Sequence, residues 1–189
     1  MKLALLICVL PLSLVVAASD ALAAPMPQAK NPPKVFIDAN RSRQTKVAGG
    51  DWDDRTQKVQ IEIVVRNIDL NKKVDGLVLH YWTISQSMAD RKVFKVLERG
   101  SFDVNLDGSP GGREVRHSGE QITLQWDDTG AKFGTAYKGY LLVLLNAANE
   151  VVSVKSNIPS WQTAFAKAFD LNKDAWCTLD FKPASAPRF

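Results

Sequence analysis

One stretch has the side-chain order of a calcium loop. Asp103, Asn105 and Asp107 alternate, Gly108 follows, and Glu114 stands at the closing position, a D-x-N-x-D-G-x5-E pattern. Oxygen side chains at every second residue and a glycine turn would wrap a hard cation. The flanks argue against it. Gly100 breaks an entering helix, Gly119 comes too soon for an exiting one, and Pro110 takes a position that normally carries an apolar residue. A strand with polar residues on its outward face, ending in an Asp-Gly turn, writes the same pattern unaided. That reading is taken here, and no metal or cofactor is expected.

Ligand binding has three kinds of candidate. Trp52 sits in a glycine-rich loop, where an indole face could stack on a sugar, and Trp176 is a second indole to test for exposure. Arg113, Arg116 and His117 form a basic loop. Asp51, Asp53 and Asp54 flank Trp52, and Asp127 and Asp128 follow Trp126. Paired carboxylates can work on a glycosidic bond, but aspartates at strand ends and turns are common for local hydrogen-bonding reasons. His80 and His117 are the two histidines, and neither has a third ligand or a serine partner at a recognisable spacing. A zinc site and a catalytic triad are therefore not supported. The chain has no nucleophile elbow and no phosphate-binding glycine loop, so a non-enzymatic role is expected.

The chain has 189 residues, 46% of them hydrophobic and 23% charged, enough for one domain with its own core. The net charge of +4 is spread along the chain rather than clustered, so nucleic acid is not an expected partner. Residues 1–23 read as a secretory signal. Lys2 precedes an apolar run over 3–18, and Ala21 and Ala23 supply small residues before a cut after Ala23. The run is short for a membrane span, which needs about 20 residues. An uncleaved signal would be the chain's one membrane contact. Export to the periplasm or beyond is expected, and cleavage would leave Cys177 as the sole thiol, a buried one.

The remaining elements must position those residues. Residues 24–34 hold four prolines in eleven positions and read as an extended, unpaired linker. Residues 35–38 open a first strand, and 41–52 read as a long connection. Val59, Ile61, Ile63 and Val65 alternate with polar residues over 58–66, the period of a half-buried strand. Residues 77–84 are apolar on both faces. Residues 93–97 and 101–106 read as strands, as does 121–126, with Ile122, Leu124 and Trp126 facing one way. Residues 138–157 form a hairpin whose first strand is apolar on both faces and so should be central. Trp161, Ala164, Phe165, Ala168 and Phe169 then make a helical stripe, with Ser160 as N-cap, expected to cover an open edge or end of the sheets. A last strand is expected over 176–181 and a loose tail over 183–189. The whole predicts a mainly β fold of seven to eight antiparallel strands in a sandwich, residues 35–158, with one short C-terminal helix in a segment 159–182 packed on it.

Residues 58–67 (KVQIEIVVRN) resemble strand B of bacterial immunoglobulin-like or fibronectin-III-like domains. Residues 77–84, with Trp82, resemble strand C and its core tryptophan. Residues 139–144 resemble strand F, joined to strand G through Asn149 and Glu150. Neither B nor F carries a cysteine, so the likeness is to the disulfide-free branch. The layout is also similar to small exported immunoglobulin-like proteins associated with type IV pilus systems. The resemblance implies an envelope binding or scaffolding module whose partner is an envelope or pilus protein, or a second copy of itself. A carbohydrate- or matrix-binding module using Trp52, Arg113, Arg116 and His117 is the alternative.

Overall fold

The structure is a computed structural model that describes residues 25–47, 54–69, 72–109, 111–127 and 132–188, with side chains at 43–47 and 54 left aside. The signal segment 1–23, Trp52, Asp51, Asp53 and Asp128 lie outside the described residues. The strands are β1 (Val35–Val47), β2 (Asp54–Asn67), β3 (Val74–Ser87), β4 (Phe94–Leu106), β5 (Glu114–Ser118), β6 (Ile122–Asp127), β7 (Thr135–Leu145), β8 (Val151–Ser156) and β9 (Trp176–Cys177). They form two sheets in which every strand pair is antiparallel. One has β2 at its centre, with β1 along one edge and β5 and β6 sharing the other. The second runs β8-β7-β3-β4-β9.

The fold is mainly β because apolar residues recur at every second position and need a surface to close on. Ile61, Ile63 and Val65 of β2 pack against Leu77, Leu79, Val104, Leu142 and Leu144 of the other sheet, making the inter-sheet core. The two-sided apolarity of β7 has a matching cause. Tyr140, Leu142 and Leu144 enter the inter-sheet core, while Leu141, Val143 and Leu145 face a second core on the far side. β3 divides likewise, Leu77, Leu79 and Tyr81 inward and Trp82 and Ile84 outward. The β7–β8 turn is held by Asn146, whose Oδ1 accepts the amides of Ala148 and Glu150 at 3.0 and 2.8 Å, and Asn149 takes a left-handed φ of 59°. The expected hairpin and its central first strand are both present.

The helical segment forms that second layer. Helix α1 (Pro159–Ala164) runs straight into a 3-10 helix, Phe165–Asp170. The apolar stripe is present, with Trp161 and Ala168 fully buried. It covers the outer face of the five-stranded sheet, not an edge or end as expected. The expected N-cap is also corrected. Ile158 occupies that position with no side-chain cap bond, and Ser160 lies inside the first turn, where its carbonyl accepts the Thr163 hydroxyl at 2.9 Å.

Further expectations give way. The connection read over 41–52 is mostly strand: β1 continues to Val47, opposite Arg55 of β2. An edge strand needs backbone pairing on one side and little apolar surface, so its composition looks like a loop. With β5 added, the described residues hold nine strands rather than seven or eight. The proline-rich segment is not unpaired. Gln28 makes a parallel bridge to Val151, whose N–H donates to Pro27 O at 2.8 Å and whose carbonyl accepts Ala29 N–H at 3.0 Å. This strap caps the start of the β8 edge. The last strand is two residues long. The chain then turns through Phe181 at φ 61°, leaving Leu179 exposed, and residues 183–184 pair back on 176–177 rather than hanging loose.

Candidate functional site

The three basic candidates do not converge, because they lie on a strand rather than in a loop. β5 pairs with β2, and alternation sends Arg116 and His117 to opposite faces. Arg116 reaches Glu114 Oε1 at 2.6 Å and Glu62 Oε1 at 3.1 Å, and Glu114 also binds Arg66. The Arg66 guanidinium, then Arg116, hold the Glu114 carboxyl below its ordinary range. Arg113 donates from Nε to Gly108 O at 3.2 Å. His117 turns inward, stacked on Phe102 with ring centroids 4.4 Å apart. The E-V-R-H-S alternation was the signal that could have identified this strand.

The calcium pattern is likewise spread out. Asp103 and Asn105 lie on β4, and Asn105 Oδ1 accepts the Gly76 amide at 3.1 Å. Asp107 Oδ1 accepts the Ser109 amide at 2.8 Å, while Glu114 is held across the sheet by Arg66. Among the described residues no three His, Cys, Asp or Glu side chains are grouped to hold a metal ion. Cys177 is fully buried, and burial pushes its thiol up to about 12.

A buried polar chain went unread in the sequence. Glu98 on β4 is 3% exposed. Its Oε1 accepts the Tyr81 hydroxyl at 3.1 Å and the Glu120 amide at 2.8 Å, and its Oε2 accepts the Thr83 hydroxyl at 3.2 Å. Tyr81 Oη also lies 3.1 Å from His117 Nε2. Burial, then the Glu98 charge, pushes the Tyr81 phenol well above its usual range. Two glycines make room for this chain. A Cβ at Gly100 would stand 2.5 Å from the Tyr81 ring, and one at Gly119 would stand 2.7 Å from Glu98 Oε2. Three donated hydrogen bonds satisfy the carboxylate, so its role is to lock β3, β4 and the β5–β6 connection together.

A strand edge open onto a groove lies just beyond. Among the described residues β6 has a strand partner on one side only, β2, apart from a bridge between Trp126 and Gly134. The Asp127 amide points away from β2, to Phe133 O at 3.1 Å. Strand alternation then directs the N–H and C=O of Thr123 and Gln125 the same way, the Gln125 carbonyl already meeting the chain at Gly134 through that bridge. They face a groove of about 560 Å³ between the two sheets. Lys95 and Leu97 lie on its β4 side, and Lys173, Asp174 and Trp176 form the opposite wall. The charges there are balanced: Lys95 pairs with Asp174 and Lys173 with Glu120, both at 2.7 Å. Lys95 Nζ also stands 5.9 Å from the Trp176 ring centroid. Of the tryptophans, Trp82, Trp126 and Trp161 are core, and Trp176 is partly exposed at this groove.

No family model matches the chain, and no curated protein matches it. Among solved structures, a crystal structure of a protein from Akkermansia muciniphila is similar at 13% identity. It covers 66% of this chain and 70% of that one, with a TM-score of 0.33. So distant a likeness carries no argument about this chain.

Proposed function

We propose that this chain is an exported, non-enzymatic immunoglobulin-like sandwich, disulfide-free, that works as an interaction or scaffolding module of the cell envelope, linked to a pilus or secretion assembly. Its partner contributes an extended segment that adds to β6. One observation carries this reading: the edge of β6 away from β2 opens onto a groove between the two sheets. The strap caps the start of β8, residues 183–184 pair on β9, and β1 carries Arg41, Arg43 and Lys46 in its sequence, the charged kind of edge that resists pairing. A five-residue run such as 121–125 spans about 17 Å. Added strand would gain main-chain hydrogen bonds from Thr123 and Gln125, and alternate side chains would enter the groove against Leu97 and Trp176.

The test is substitution at the edge. Thr123→Pro removes an outward N–H without touching the bonds to β2. An envelope or pilus protein that binds the purified wild-type chain should bind this variant at least tenfold more weakly, while a Lys155→Glu change on β8, which keeps its backbone pairing, leaves binding unaltered. Equal binding by all three proteins would sink the reading.

A further inference from the structure

A second groove lies on the opposite face of β4, and its lining is one-sided in charge. Six residues line about 520 Å³: His80, Arg99, Gly100, Ser101, Asn172 and Lys173. None carries a carboxylate. The placement follows from register. His80 stands across from Ser101 and Trp82 across from Arg99, so His80, Ser101 and Arg99 share the outer face of the sheet. The end of the 3-10 helix closes one side, with the Phe169 ring edge-on to His80 at 5.1 Å and to Trp82 at 4.9 Å.

Arg99 is held in place before any ligand arrives. Its Nη1 donates to Leu171 O at 2.9 Å and to Asn172 Oδ1 at 3.1 Å, and its guanidinium carbon lies 5.9 Å from the Trp82 ring centroid. No carboxylate pairs with it among the described residues. The bond to Asn172 Oδ1 fixes that amide so that its NH2 end remains a donor. Lys173 adds a cation that it shares with Glu120. The nearest carboxylate on this strand face is Asp103, two residues beyond Ser101 and outside the lining.

We propose that this groove binds a tetrahedral oxyanion, the sulfate or phosphate of a monoester, with Arg99 as the anchoring cation and Asn172, Ser101 and His80 as neighbouring donors. A guanidinium with free N–H groups fits such an oxyanion better than an ammonium does. The lowered proton affinity of His80, caused first by burial and then by the Arg99 charge, agrees with a groove whose field lacks an anion. The site shares Lys173 with the β6 groove, but its anchor Arg99 is not part of that groove.

Inorganic sulfate and phosphate are the first probes, titrated into the full exported chain while the His80 ring signals are followed by NMR. A sulfated oligosaccharide and a phosphorylated sugar form the second arm, which separates the two sources. Saturable binding is expected, at least tenfold weaker in Arg99→Gln, retained in Arg99→Lys to a lesser degree, and unchanged in Arg116→Gln. The last variant removes a more exposed charge from the other sheet. Equal loss in Arg99→Gln and Arg116→Gln would mean diffuse attraction and overturn the proposal, as would non-saturable shifts with all four probes. Thermal melts of the variants without probe separate lost binding from lost folding. If Arg99→Gln proves unfolded, Ser101→Asp, which places a negative charge beside the site, must abolish binding for the proposal to stand.

Discussion

Gln28 lies across from Val151 in a parallel bridge, so a segment rich in proline closes the edge of a sheet. Proline has no N–H to give, but Pro27 accepts through its carbonyl and Ala29 supplies the donor. Met26 packs against the outer core beside Val151. Deleting residues 25–29 removes two backbone hydrogen bonds at about 1 kcal/mol each and the partial burial of one methionine at about 1 kcal/mol. The expected loss is about 3 kcal/mol in urea unfolding, accompanied by greater self-association as the β8 edge is uncovered. A variant as stable and as monomeric as wild type would show that the strap is incidental.

Glu98 should be among the costliest polar residues to remove. Glu98→Ala leaves the Tyr81 and Thr83 hydroxyls and the Glu120 amide without their acceptor. With about 1–3 kcal/mol for each buried group left unsatisfied, a loss of about 3 kcal/mol or more is expected by denaturant titration. Gly119→Ala should destabilise in the same direction, since its Cβ would crowd Glu98 Oε2. A loss below about 1 kcal/mol in Glu98→Ala would contradict the locking role.

Two tryptophans separate fold from function. Trp161 is fully buried, and its indole N–H has no hydrogen-bond partner among the described residues. Trp161→Ala should cost about 3–5 kcal/mol through the cavity it leaves. Trp161→Phe should cost far less, because it also removes an unsatisfied donor. Trp176→Ala should leave the melting temperature nearly unchanged and weaken binding at the β6 groove. The opposite pattern would exchange the roles assigned to the two residues.

Stability should fall at both ends of the pH scale for identifiable reasons. Burial, then the Asp180 charge, raises the folded thiol of Cys177 to about 12 from an ordinary 9.0. The unfolded chain therefore loses this proton first, and stability declines as pH rises from 9.0 towards 12. His80 is displaced downward from 6.5 by burial and by Arg99, so the unfolded chain gains a proton first and stability declines as pH drops below 6.5. Cys177→Ser should flatten the alkaline limb and His80→Gln the acid limb, read by thermal melts across pH. Native Cys177 should also resist a thiol reagent at pH 8 until the protein is unfolded.

Periodicity made the paired and covered strands legible. Val59 to Val65 alternate because one face of β2 is core, and β7 is apolar from Gly139 to Leu145 because both faces are covered there. Pattern failed wherever backbone pairing alone makes the structure. The second half of β1 is polar and basic in sequence, so Arg41 and its neighbours read as a connection. β5 carries one inward histidine in place of an aliphatic residue, so it read as a basic loop. The strap read as unpaired because its composition hides two usable hydrogen-bonding groups. The β6 groove was not legible at all, apart from Trp176. It depends on β6 lying beyond the reach of β4 and β9, which register within each strand does not encode.

The open edge of β6 is the centre of the account, and contact mapping tests it most directly. A photo-reactive residue placed in turn at Thr123 and Gln125, and for comparison at Lys155 on β8 and Arg116 on β5, should be activated in cells producing the full chain. The account expects adducts to one partner from Thr123 and Gln125, at residues forming a single extended segment of that partner, and none from Lys155 or Arg116. Adducts from Lys155 or Arg116 with none from β6 would contradict it.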